Sequence, residues 1–259
     1  MCSTLHVAWE DTAERLNTIP IAGERIRYAA AIKPILSLPQ STRLLEAGCG
    51  SGRVLRALAA IGYQNLVGLE ISHARLRMVA ELGPPSAHLV CSNEVPFPSE
   101  TFGAVISSGV IEHVVEPERW FAELVRVTRP GGLLSIVTDT YMWRVLKQLG
   151  LYRSIQPLDN ALWPSTLIGY GRSAGLRLLG CGGFVNVLEQ KAYFAKQLLR
   201  LIPFTRWLRC RLNRSRDIPV PSDETESILE AVSEFPLKHG TSRWSCLWSY
   251  ECYYWFQKP

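Results

Sequence analysis

From residue 43 onward the chain alternates short apolar runs with segments whose apolar residues recur at helical spacing. TRLLEAG predicts a strand. RVLRALAAIG behind it predicts a helix closed by Gly62, a residue suited to a C-cap. NLVGLE predicts a second strand, and SHARLRMVAELG a helix with Ser72 as N-cap and Gly83 as terminator. AHLVC and FGAVISS predict two further strands. EPERWFAELVRVT predicts a helix opened by Pro117 and followed by Pro130-Gly131-Gly132, and GLLSIVTDT the next strand. Short apolar strands separated by helices imply an α/β protein with a parallel sheet and helices on both faces.

The rhythm differs at the two ends. Residues 1–40 look helical and mixed, ending near Pro34 and Pro39, and predict an N-terminal helical cap. After residue 140, PSTLIGYGRSAGLRLLGCGGFVNVL predicts a helix, a glycine-rich turn and a strand near FVNVL. Residues 191–216 carry eight basic residues and no acidic one, with Phe194, Leu198, Leu201 and Ile202 at helical spacing and Trp207-Leu208 after Pro203. SDETESILEAVSEF, which follows, carries five acidic residues and no basic one. The terminal YECYYWFQK is aromatic and β-prone. The expected division is a cap at 1–40, a core at 41–190, a helical basic and acidic insertion at 191–244, and a final core strand at 245–259.

Composition narrows the field only a little. With 47% hydrophobic and 20% charged residues in 259, the chain suits a soluble globular domain. The net charge of +5 permits an acidic partner without demanding one. The seven cysteines are scattered and form no C-x-x-C pair, which argues against a disulfide framework or a zinc site and for a reducing, cytoplasmic setting. No metal site is expected. The start, MCSTLHVAWEDTAERL, lacks the apolar core of a signal peptide.

The chemistry concentrates at EAGCGSG, residues 46–52. Glycines between a first strand and a first helix let a ligand approach the main chain, and the helix N-terminus adds free N–H groups and the positive end of its dipole. Gly48, Gly50 and Gly52 give E-x-G-x-G-x-G, not the G-x-G-x-x-G of dinucleotide folds, because position 53 is Arg. Glu70 at the tip of the second strand is placed to accept hydrogen bonds from ribose hydroxyls.

EAGCGSG, GLE, NEVPFPSETF, ISSGVIEHV and RVTRPGGLLSI, in that order, resemble the class I S-adenosylmethionine-dependent methyltransferases. The likeness is to their small-molecule branch, often called type 11 or ubiquinone-biosynthesis-like, and covers residues 40–140 well. It implies a Rossmann-like, doubly wound, seven-stranded, mostly parallel sheet, with YECYYWFQK as the last strand, and S-adenosyl-L-methionine as cofactor. It implies that Gly48, Gly50 and Gly52 pack against the cofactor's methionine part, that Glu46 serves its amino group, that Glu70 holds the ribose and that Ile71 lies beside the adenine. The family's usual Asp after the third strand is replaced here by Cys91-Ser92-Asn93-Glu94, so Ser92 or Asn93 is expected at the adenine. The usual Phe-Asp before the fourth strand is Phe102-Gly103. Ser108 and Gly109 end the fourth strand, where transfer is expected, and His113 is the candidate general base.

The implied function is methyl transfer to an oxygen, nitrogen or carbon of a small molecule, bulky or lipid-like if the insertion forms a substrate lid. Segment 191–216 also suits peripheral contact with an anionic membrane. A noncatalytic methyltransferase-like scaffold is the alternative. A nicotinamide-dependent oxidoreductase is disfavoured by Arg53 and VPFPSETF, and nucleic acid as partner by the lack of an N-P-P-Y motif. Oligomeric state is not legible.

Overall fold

The computed structural model describes residues 9–10, 24–84, 87–92, 94–141, 145, 148, 158, 160–183, 223–235, 245–247, 249 and 251–259. Seven strands form one sheet in the order β3-β2-β1-β4-β5-β7-β6. They are β1 (Leu44–Ala47), β2 (Leu66–Glu70), β3 (His88–Cys91), β4 (Phe102–Ser108), β5 (Thr128–Asp139), β6 (Arg177–Gly183) and β7 (Glu251–Gln257). All neighbours pair in parallel except β7, which runs antiparallel between β5 and β6. The doubly wound, mostly parallel sheet expected from the sequence is therefore present.

The helices are α1 (Arg25–Ile32), α2 (Arg53–Ile61), α3 (His73–Leu82), α4 (Pro117–Val127), α5 (Pro164–Ser173) and α6 (Glu224–Glu234). Their ends follow local chemistry. Gly62 closes α2 in the left-handed region, with its N–H on Ala59 O. Ser72 Oγ accepts from Arg75 N at the start of α3, and Pro117 opens α4 at its first turn. Gly83 does end α3, but with φ −85° it stops the helix in extended backbone.

Period-2 alternation assigns the two faces of the sheet. Leu44 and Ile106 face a core shared with α1, α2 and α6. Leu45, Val105 and Ile136 face a second core shared with α4 and α5. In α1 the small side chains of Ala29, Ala30 and Ala31 are fully buried, so the helix backbone lies close to the sheet. Ser135 Oγ and Trp255 Nε1 donate to its carbonyls at Ala31 and Ala30, at 2.9 and 3.0 Å.

Two expectations shift. The sixth strand lies at Arg177–Gly183, upstream of FVNVL, which falls outside the described residues. Its Gly180 and Gly183 suggested a turn, but they make room for the Trp255 ring and the Ser249 side chain. Pro130-Gly131-Gly132 sits inside β5, where the register with β4 shifts. Of the 191–244 segment, residues 223–235 are described. Here α6 buries Ile228, Ala231 and Val232, with Phe235, in the core beside α1 and α2. The basic stretch 191–216 lies outside the described residues. Among the described residues no helix is long and apolar enough to cross a membrane.

Candidate active site

A cavity of about 540 Å³ opens at the carboxyl ends of β1, β2 and β4. This is where strand order reverses, the usual ligand position in an open α/β sheet. Glu46, Gly48, Gly50, Glu70 and Ile71 line one side; Ser92, Ser108 and His113 also line it. Of the expected residues, Gly52 stands behind the wall and Asn93 lies outside the described residues.

The three glycines do different work. All have left-handed φ: +84° at Gly48, +53° at Gly50 and +77° at Gly52. A Cβ on Gly48 would collide with Val110, and one on Gly52 with Val79. A Cβ on Gly50 would have Arg75 Nη1, at 3.7 Å, as its nearest neighbour, so of the three glycines this one alone leaves open space. The turn is held by Gly48 N and Cys49 N, both donating to Leu69 O, and by Gly50 N donating to Glu70 Oε2 at 2.8 Å. The other Glu70 oxygen accepts from Ile71 N and Ser72 N. Glu70 is thus oriented by backbone amides before any ligand arrives.

Glu46 is buried, and its Oε2 has no hydrogen-bond partner. Burial, followed by the nearby Glu70, pushes its pKa well above the ordinary carboxylate range. The Leu55 backbone N–H and Arg56 favour its charged form but do not outweigh those two. Arg75 Nε, Ser108 Oγ and Trp120 Nε1 are likewise buried without partners, and all four residues line the cavity. The cavity is thus lined by residues that also carry buried polar atoms with no hydrogen bond among the described residues.

The opposite end is assembled from distant parts of the chain. Arg27 donates to Asp139 Oδ1 at 2.6 Å and to Glu251 Oε1 at 2.5 Å. Burial pulls the Arg27 pKa down, but Glu251 and Asp139 raise it by more, so it stays a cation. Fully buried Glu112 accepts from Thr138 Oγ1 at 2.8 Å and Asp139 N at 3.2 Å. His113 Nδ1 lies 2.6 Å from Leu158 O, a contact that requires the proton on Nδ1 and leaves Nε2 as the basic nitrogen of the neutral ring. Nε2 is 3.9 Å from Glu112 Oε1. The imidazole therefore both bonds to Leu158 O and lines the cavity.

The sequence gives no sign of how Trp9, Glu10 and Arg53 are placed around the cavity. Trp9 packs edge-on to His113 at 5.5 Å and beneath the Arg75 guanidinium at 5.7 Å. Glu10 beside it accepts from Ser72 Oγ and from the first-turn amides of His73 and Ala74, so this side chain caps the start of α3. Arg53, which breaks the dinucleotide pattern, instead binds Glu24 at 2.8 Å and reaches Glu224 at 3.3 Å. It ties α2 to α1's entry and to α6. No cluster of metal-ligating side chains occurs among the described residues.

Residues 45–136 match a family model described as a methyltransferase domain. A ubiquinone biosynthesis O-methyltransferase of Mesorhizobium japonicum is 28% identical over 118 residues, 43% of this chain and 45% of that protein. A 2-methyl-6-phytyl-1,4-hydroquinone methyltransferase of Synechocystis sp. is 32% identical over 104 residues, 39% of this chain and 33% of that one. The chain thus spans about half or less of these relatives' lengths. A solved Thermotoga maritima structure, titled a SAM-dependent methyltransferase and possible histamine N-methyltransferase, shares the fold with a TM-score of 0.62. It is 15% identical, and the match covers 98% of this chain and 100% of that one.

Proposed function

Because the chain belongs to the class I S-adenosylmethionine-dependent methyltransferases, we propose that it transfers a methyl group from S-adenosylmethionine to a small, partly apolar acceptor. The observation that carries this reading is the unpartnered Glu46 oxygen beside the one open glycine, Gly50. An amino acid ammonium would supply both the missing hydrogen bond and the charge that burial makes costly. Glu70, pre-oriented by Gly50, Ile71 and Ser72, would take the ribose hydroxyls, and Ile71 the adenine face. The residues present therefore fit the cofactor.

Bound there, the cofactor would supply an electrophilic methyl group on a sulfonium. The chain's own residues need only position and deprotonate the acceptor, since in-line transfer depends mainly on alignment. Ser108 and Gly109 at the end of β4 form the wall at which the acceptor would meet the methyl group. His113 Nε2 takes the acceptor proton when the nucleophile is a hydroxyl, with Glu112 close enough to stabilise the imidazolium. Trp9 and Val110 supply apolar surface around the reacting atoms and help exclude water.

For the acceptor we favour an apolar-tailed ring compound. The named relatives act in ubiquinone and phytyl-hydroquinone methylation. The amphipathic basic stretch at 191–216 suits a membrane surface where such molecules reside. The test is incubation with methyl-labelled S-adenosylmethionine and a cell extract, followed by phase separation. Label is expected in organic-soluble small molecules. Label confined to RNA or protein would overturn the acceptor class, and no incorporation at all would overturn transfer.

A further inference from the structure

Arg27 of α1 reaches the cavity wall beside the end of β4. Its guanidinium is gripped from one side: Nε and Nη2 donate to Glu251 Oε1, and Nη2 donates to Asp139 Oδ1. The remaining nitrogen, Nη1, has no hydrogen bond among the described residues. It is also not one of the unbonded polar atoms that the fold covers completely, and the side chain keeps 15% of its surface exposed. A guanidinium nitrogen only donates, so Nη1 is an open donor on a group that two carboxylates hold in place.

Gly109 shows where this donor lies. A Cβ on Gly109 would stand 2.5 Å from Nη1, and the backbone there is left-handed, with φ +68°. Nη1 therefore sits against the end of β4, the wall at which the acceptor would meet the methyl group. His113 lines the same cavity, and the two groups share a scaffold. Asp139 binds Arg27 through its carboxylate and gives its backbone N–H to Glu112 Oε1, which is 3.9 Å from His113 Nε2. Charge decides what the donor can take. One guanidinium between the carboxylates of Asp139 and Glu251 leaves an excess of negative charge, and buried Glu112 adds to it. A neutral oxygen suits Nη1, whereas a carboxylate placed there would be repelled.

We propose that Arg27 Nη1 donates to an uncharged oxygen of the acceptor, next to the hydroxyl that His113 deprotonates. The site thereby selects ring compounds with two neighbouring neutral oxygens over those with a lone hydroxyl or a neighbouring carboxylate. The inference rests on the transfer reading above and assigns part of the acceptor's chemistry to one residue.

The test is calorimetric titration of the protein saturated with S-adenosylhomocysteine. The probes are phenols with an octyl tail opposite the hydroxyl, differing only beside it: a second hydroxyl, a hydrogen or a carboxylate. Wild type should bind the dihydroxy probe about 10-fold or more tightly than the other two, the range for a hydrogen bond to a charged group. Arg27→Lys keeps a cation for Asp139 and Glu251, but its single nitrogen is taken by them. It should lose that preference while holding S-adenosylhomocysteine as wild type does. Thermal melting checks that the variant is folded; if it is not, the wild-type series decides alone. Equal binding of the dihydroxy and monohydroxy probes by wild type, tightest binding of the carboxylate, or no binding of any probe would overturn the proposal. So would a variant that keeps the preference, or one that loses S-adenosylhomocysteine instead. Failure of wild type to bind S-adenosylhomocysteine would overturn the cofactor reading itself.

Discussion

At the glycine-loop end of the cavity, the polar wall comes from one continuous stretch, Glu46 to Ser72, and is oriented largely by backbone amides. Elsewhere on the wall stands Arg27 of α1, held by Asp139 of β5 and Glu251 of β7, with Glu112 from the turn after β4 bonded to Asp139 N; of these four Arg27 alone lines the cavity. The first end is shaped by geometry already present in a strand-turn-helix unit. The second holds the Arg27 cation between two partly buried carboxylates, with Glu112 fully buried beside them, and exists only when the sheet is complete. A fold can thus carry a local, transferable candidate ligand site beside a wall whose character depends on long-range packing.

The largest effect should follow from breaking the long-range end. Arg27→Met removes the guanidinium that partly buried Asp139 and Glu251 both bind, and the loss should approach the about 3–5 kcal/mol typical of removing one partner of a buried pair. Urea unfolding should register a loss of that order, and a loss well under ~1 kcal/mol would mean the network is effectively solvated. His113→Ala should lower turnover by roughly 10²-fold or more, the usual yield of general-base catalysis. Cofactor affinity should hardly change. Parallel losses in turnover and thermal stability, with an unaltered pH–rate profile, would reduce His113 to the prop under Leu158.

The local end should respond in a more graded way. Gly48→Ala meets both a left-handed φ and the Val110 side chain, so a destabilisation of about 2–4 kcal/mol is expected. Gly50→Ala meets only the φ penalty, about 1–2 kcal/mol, yet should weaken cofactor binding more than Gly48→Ala does. Equal effects of the two on stability would erase the distinction between a packing glycine and a ligand glycine.

The smallest effect is a pH slope. The folded state raises the Glu46 pKa, so it holds that proton more tightly than the unfolded chain does. The stability this contributes is complete below the ordinary carboxylate range and is lost as pH rises through the raised value. Melting of the free protein followed across that window should fall more steeply in wild type than in Glu46→Gln. Identical slopes would mean that Glu46 is ionised in the free fold.

The sequence made the local end legible because its signals are themselves local. Gly62, Ser72 and Pro117 sit at helix ends for reasons contained in a single turn, and Glu70 falls at a strand tip beside the glycine loop. Trp9 and Arg27 left no such trace. What matters about each is a partner that only the assembled sheet defines. Likewise the sequence pattern puts β6 downstream of its true position, because Gly180 and Gly183 have the character of turn residues and only the assembled sheet brings Trp255 and Ser249 against them. The acidic run of α6 showed its charge in the sequence, but not that Ile228 and Val232 would bury it against α1 and α2.

The central claim is that this cavity binds S-adenosylmethionine with its ammonium on Glu46. Calorimetric titration of wild type and Glu46→Gln with S-adenosylmethionine tests it most directly. Wild type should bind at one site per chain, and Glu46→Gln should bind at least roughly tenfold more weakly, the loss expected for a charge-assisted hydrogen bond. No heat of binding in wild type, or equal affinity in the two proteins, would contradict the account.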